Sequence, residues 1–202
     1  MPDVVDKSDA IMAALARATD RTQDLGSAGV KISTVTTGTA PVGTAGTYSW
    51  GGGYAFDVEM DTKAARMQPL QDAPTMRMLF VDGAYYYDID PQPLGPLKGK
   101  EWMRVDASAV FGEKGAQAFN GGGGGSPAAS MRSLKYADDV EDLGKETVDG
   151  QSTTHYAASI TGGATSMTMD FEKFGKTAVV KAPPAAETGD LTEAVKGAAG
   201  KQ

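Results

Sequence analysis

Tyr54-Ala55-Phe56-Asp57-Val58-Glu59-Met60 sets a large apolar side chain at every second position, with small or acidic residues between. Successive side chains of an extended strand point to opposite faces, so Tyr54, Phe56, Val58 and Met60 share a dry side while Ala55, Asp57 and Glu59 take a wet one. Met76, Met78 and Phe80 repeat the pattern against Arg77, Leu79 and Val81. Met167, Met169 and Phe171 repeat it against Ser166, Thr168, Asp170 and Glu172. Three strands therefore pave one face of a sheet with methionine and aromatic rings. Such side chains either fill a core or cradle a greasy guest, because the thioether is flexible and polarisable enough for both.

The totals limit what else the chain can be. Its 202 residues suit one domain with at most a small appendage. No apolar run approaches the ~20 residues needed to span a bilayer. Leu, Ile, Val and Phe make up only about 16% of the chain, a share that would favour disorder if the net charge were extreme. The charge is −7, so the chain is expected to fold, with ten Met, seven Tyr and two Trp supplying much of a thin core. A pI near 4.7 leaves no basic stripe for a phosphate backbone, and nucleic acid is not an expected partner. The absence of Cys excludes disulfides, Cys-zinc sites and thiol catalysis within the chain.

Working outward from the decisive strands, Ile11, Met12, Leu15 and Ala18 fall on one stripe of a short helix capped by Ser8 or Asp9. Thr-, Val-, Tyr- and Gly-rich stretches then predict strands near 30–37, 46–61, 75–81, 84–89 and 101–106. Asp82-Gly83, flanked by Leu79-Phe80-Val81 and Ala84-Tyr85-Tyr86-Tyr87, is a strong hairpin signal because both turn positions need positive φ. Asp149-Gly150 makes the same case between Glu146-Thr147-Val148 and Gln151 to Tyr156. Ala107 to Phe119 and Pro127 to Tyr136 read as helices joined by Asn120 and Gly121 to Gly125, a joint expected to move. Strands resume near 139–148, 151–160, 165–173 and 176–181, and Ala182-Pro183-Pro184 ends the sheet. One domain is expected over 1–187, with 188–202 a tail that is either a weak helix or disordered, Asp190 and Glu193 being a candidate capping pair.

Catalytic chemistry is hard to assemble from these residues, and no catalytic residue, metal ligand or cofactor is assigned. His155 is the sole histidine and reads as a strand residue beside Tyr156. No Gly-x-Ser-x-Gly turn exists, and Gly121 to Gly125 lacks the Gly-Lys-Ser/Thr that completes a phosphate loop. Asp138, Asp139, Glu141 and Asp142, and separately Asp57, Glu59 and Asp61, are dense enough in carboxylate to attract calcium. Neither set has the spacing of a calcium loop, and both read as solvated outer faces.

The run Leu97-Lys98-Gly99-Lys100-Glu101-Trp102-Met103-Arg104-Val105-Asp106, following Asp82-Gly83-Ala84-Tyr85-Tyr86-Tyr87, resembles actinobacterial lipoproteins of the LolA-like and LprG-like type. So do Asp139 to Tyr156 and Phe171 to Pro184, so that the resemblance covers much of residues 25–187. It implies an α+β fold in which a strongly curved antiparallel sheet, a half-open barrel, wraps two or three helices with its concave apolar side. It also implies an extracytoplasmic protein held at the membrane by a lipid anchor on a cysteine upstream of Met1. Only Ala157 to Ser166 separate the His155-Tyr156 segment from Met167-Thr168-Met169, a shortened C-terminal half that predicts a half-barrel narrower or open on one side.

The expected site is therefore an apolar space between sheet and helices, bounded by Phe56, Val58, Met60, Met76, Met78, Phe80, Tyr85, Tyr87, Trp102, Met167, Met169 and Phe171 from strands and Phe111, Phe119, Met131 and Leu134 from helices. A dry void of ~300 Å³ would cost on the order of 7 kcal/mol, comparable with the stability of a whole domain. Such a space must hold a guest, open to water or close up. The expected function is non-enzymatic carriage of a lipid acyl chain or similar apolar ligand. The alternative is an envelope protein-interaction or sensory accessory lipoprotein with a filled core and no ligand cavity.

Overall fold

The computed structural model describes residues 13–36 apart from 14, 15, 18 and 22, then 41–120, 139–148, 151–159 and 165–199. Helical residues between 13 and 25 (α1) lead into β1 (Ser27–Thr36), β2 (Val42–Ser49), β3 (Ala55–Asp61), β4 (Thr75–Val81), β5 (Ala84–Asp88) and β6 (Trp102–Asp106). These are followed by helix α2 (Ala107–Asn120), β7 (Asp139–Val148), β8 (Gln151–Ser159), β9 (Thr165–Glu172), β10 (Thr188–Asp190) and helix α3 (Thr192–Ala199). Eight strands form one curved, unclosed sheet in the order β10-β6-β5-β4-β3-β2-β1-β9, antiparallel throughout except where β10 pairs parallel to β6. This is the expected α+β class with a half-open barrel.

The register explains why alternation along single strands becomes a continuous surface. Direct partners in antiparallel strands share a face, and the pairings align Ala28, Tyr48, Phe56, Phe80, Tyr85 and Val105 in one row across six strands. The next row is Val30, Gly46, Val58, Met78, Tyr87 and Met103, and a third holds Ile32, Thr44, Met60 and Met76. The β4–β5 turn has the predicted chemistry, with Asp82 at φ 52° and Gly83 at φ 76° and Val81 paired to Ala84. Helix α2 starts directly after β6, where Asp106 Oδ1 accepts the Ser108 N–H at 2.9 Å. It then covers the apolar face with small side chains: Ala107 and Ala116 join Tyr54, Phe56, Val58, Phe80 and Tyr85 in one buried cluster, and Ala109 joins Ile89, Leu97, Met103 and Val105 in another.

Four expectations need correction. The strand predicted over 46–61 is two strands, because the connection through Trp50 and Gly51 to Gly53 turns the chain back on itself. The opposite sheet face is not simply wet: Leu79, Val81, Ala84, Tyr86 and Ala55 pack there beneath Val180. The strand expected at 176–181 is instead the irregular segment that supplies Val180 to this cover. Of the two alternatives for the tail the helix is the one present, as α3 over Thr192–Ala199, and the unexpected part is Thr188–Asp190, which adds the edge strand β10. Among the described residues strands β7 and β8 pair only with each other, in a register that sets Val148 opposite Gln151, with Asp149-Gly150 outside the described residues. The stripe Ile11, Met12, Leu15 and Ala18 and the helix expected over Pro127–Tyr136 also lie outside them.

Candidate functional site

The middle of the first row is an aromatic cluster. Phe80 and Tyr85 meet edge to face with centroids 4.9 Å apart, and Phe56 stacks on Phe80 at 5.7 Å. Tyr54 reaches Phe80 at 5.7 Å and Tyr48 at 6.0 Å, and Tyr87 stacks on Tyr85 at 6.2 Å. These spacings lie in the range where offset and edge-on ring pairs attract beyond simple burial. Phe80 is fully buried and Phe56, Val58 and Met76 nearly so, whereas Met60, Met78, Tyr48 and Tyr87 are half-buried. The apolar face is thus tightly filled at its centre and looser around it.

The phenol groups here remain neutral far above physiological pH. Burial pushes the Tyr54 hydroxyl up most strongly, reinforced by Tyr48 and Tyr85 and by the hydrogen bond Tyr54 donates to Tyr48. Burial also raises Tyr48 and Tyr87, and with neighbouring Tyr87 and Tyr48 it pushes Tyr85 up to about 12. A wall of rings edged by un-ionised hydroxyls suits apolar contact with an occasional neutral hydrogen bond.

Ten of the sixteen expected site residues have described side chains. Phe56, Val58, Met60, Met76, Met78, Phe80, Tyr85 and Tyr87 share the α2-covered face. Phe111 is 48% exposed at the edge of that face, its ring 6.3 Å from Tyr85. Trp102 is a correction. In β6 it alternates with Met103 and Val105, which face Tyr87 and Tyr85, so it lies on the other side of the sheet with the Arg77 guanidinium 5.9 Å from its ring centroid. Phe119 falls in the last turn of α2, and Met167, Met169 and Phe171 pair with Thr34, Ile32 and Val30 through the backbone of β9. Met131 and Leu134 lie outside the described residues.

Sequence reasoning left Tyr48, Ala107 and Ala116 out of the site. Tyr48 lies in a strand whose alternation is broken by Gly46, and alanines are overlooked by a search for bulk although close helix-on-sheet contact requires them. Two grooves were also missed. One, of about 740 Å³, lies at the sheet rim between Gly51–Gly53, the Asp82-Gly83 turn and residues 177–180. Another, of about 640 Å³, runs where Ile32, Thr44 and Met60 meet Lys31 and Glu59.

Two of the carboxylates weighed for calcium have structural duties. Asp57 holds Arg77 through Nε at 2.7 Å, and Asp61 Oδ1 accepts the Ala64 N–H at 2.7 Å to cap a turn. Asp139, Glu141 and Asp142 lie along β7, and Asp138 is outside the described residues. His155 pairs with Gly144 where β7 is bulged.

The chain is 28% identical over 186 residues to a Streptomyces coelicolor protein named as a candidate lipoprotein. The alignment takes in 88% of this chain and 64% of the relative, so the chain spans less than two thirds of the relative's length. No family model matches the chain. Among the described residues no helix is long and apolar enough to cross a membrane.

Proposed function

We propose that this chain is the folded domain of a non-catalytic cell-envelope lipoprotein of the LolA-like and LprG-like kind, which holds an acyl chain or similar apolar guest against the α2-covered face of its sheet. The similarity to a Streptomyces coelicolor candidate lipoprotein supports the envelope assignment. Support for the guest comes from one feature: the apolar rows extend beyond the filled centre to half-buried Met60, Met78 and Tyr87, and α2 carries half-exposed Phe111 to the ring of Tyr85, the direct neighbour of Tyr87 in stacking. Methionine and ring surfaces of this sort adapt to chains of varied shape, and each Å² of alkyl surface withdrawn from water contributes about 25 cal/mol. Gly112, at φ 70° and ψ 168°, interrupts α2 one residue beyond Phe111, so the two halves of the helix can be displaced separately.

Native mass spectrometry of gently purified protein, joined to titration with a fluorescent fatty acid, tests the reading. Co-purified lipid or saturable micromolar binding is the expected result. Clean apo protein that ignores the probe at that concentration rejects it.

A second reading has its own observation. The Phe56, Phe80 and Tyr85 rings close on one another so completely that the centre of the face has no room for a guest. On that reading the sheet is a scaffold and the lipoprotein works through an envelope protein partner. A guest confined to the border, as proposed, leaves those three rings undisturbed.

A further inference from the structure

The segment after β9 differs chemically from the rest of the molecule. Between Glu172 and Glu187 it carries Lys173, Lys176 and Lys181 and no acidic residue, in a chain of net charge −7. It turns where the Gly175 N–H donates to Ser27 O at 2.8 Å, then crosses the outer face and buries Val180 beside Leu79, Val81 and Tyr86. With Val180 committed inward, its neighbours point outward: Val179 is 79% exposed, and Lys176, Ala178 and Lys181 are exposed as well. Leu25, 45% exposed, lines the same rim groove as Val179. Among the described residues neither Lys176 nor Lys181 forms an ion pair.

We propose that the strap 173–181, together with Leu25, is a docking surface for an anionic phospholipid bilayer. Aliphatic tips enter the headgroup layer while flexible ammonium groups stay among the phosphates, and each lysine near such a surface adds about fivefold to binding. The residue types separate this partner from a protein. Protein interfaces are anchored by Trp, Tyr and Arg and are depleted in Lys, whereas the exposed side chains here are those of Lys173, Lys176, Ala178, Val179 and Lys181 with Leu25, Phe174 being half-buried. The acidic remainder of the molecule is repelled by the same lipids, so attraction confined to one strap fixes orientation as well as contact. Asp82, the acidic side chain on the groove wall, opposes it locally.

Flotation of the full chain with phosphatidylcholine vesicles, with and without phosphatidylglycerol, at low and high salt, tests the proposal. Binding is expected only to the phosphatidylglycerol vesicles and is expected to fall at high salt. Replacing both lysines, Lys176→Gln with Lys181→Gln, should weaken it roughly 30-fold. Val179→Asp should weaken it too, and Asp82→Asn should strengthen it. These side chains are exposed, so unchanged thermal melting verifies the fold of each variant. Binding of a soluble monoacyl lipid should be unaltered in all of them, which separates this surface from the guest site. Absence of phosphatidylglycerol-dependent binding at low salt, insensitivity to the strap variants, or capture by a polyglutamate peptide but not by vesicles overturns the proposal.

Discussion

Gly46 shows how much one position can demand. It sits opposite Val30 and Val58 in the second row, where a Cβ would lie 2.1 Å from Asp57 O and 2.7 Å from Val58 Cα. Both obstacles are backbone, so no rotamer change relieves them. Gly46→Ala is expected to force β2 from β3 and destabilise the protein by about 2–3 kcal/mol, read as a lower denaturant midpoint. A change below about 0.5 kcal/mol, the range of ordinary surface substitutions, would mean that the strands separate easily there. Tyr85 makes a prediction about pH. Its ordinary value of 10.0 is raised to about 12 in the folded protein, so the folded state keeps its proton while the unfolded state releases it. The stabilisation is complete below pH 10 and is lost as pH rises through 12, and Tyr85→Phe should lessen this alkaline loss of stability in melting experiments across that range. The tyrosine and phenylalanine positions were legible because period-two alternation says which residues share a face. Trp102 is one residue out of step with Met103 and Val105, and that parity, not the size of the ring, decides its face.

At the scale of elements, pairings between strands consecutive in the chain were readable and pairings between strands distant in the chain were not. The sheet from β1 to β6 follows chain order, so each pairing is prepared by its own connection. The β10–β6 pair is different. Thr188-Gly189-Asp190 has little strand propensity, and its place is secured by contacts distant in sequence. Arg104 Nη1 donates to Asp190 Oδ2 at 2.6 Å, Asp190 Oδ1 accepts the Thr192 N–H at 2.8 Å, and the buried Thr192 Oγ1 accepts the Asp106 N–H at 3.0 Å. The expected Asp190–Glu193 capping pair is therefore half realised: Asp190 caps α3, while Glu193 meets Lys196 at 3.3 Å. Thr192→Val keeps the volume and removes the acceptor, leaving the Asp106 N–H unpaired between β6 and α3. It should cost about 1–2 kcal/mol in chemical denaturation, and Thr192→Ser should restore most of that. A loss in Thr192→Ser with none in Thr192→Val would show that the methyl group, not the hydroxyl, holds the C-terminal elements in place.

At the scale of the whole molecule, an extensive apolar face is covered by a helix that touches it chiefly through alanines. Small side chains let α2 lie close over the first row, and they leave Met60, Met78 and Tyr87 beyond it half-buried. A molecule arranged in this way gains stability whenever something apolar settles at that border. By mass action, a guest present at 100 times its dissociation constant adds about 2.7 kcal/mol, which for a chain of this size corresponds to roughly 5–10 °C in Tm. A soluble monoacyl lipid is therefore expected to raise Tm in a concentration-dependent way. The increase should shrink in Phe111→Ala, at the border, and stay the same in Trp102→Phe, on the opposite face. The paired variants matter because detergent-like lipids also act nonspecifically on exposed surface. A Tm that lipid leaves unchanged, or one that rises equally in wild type and Phe111→Ala, would mean that the border of the face is occupied by the protein's own side chains.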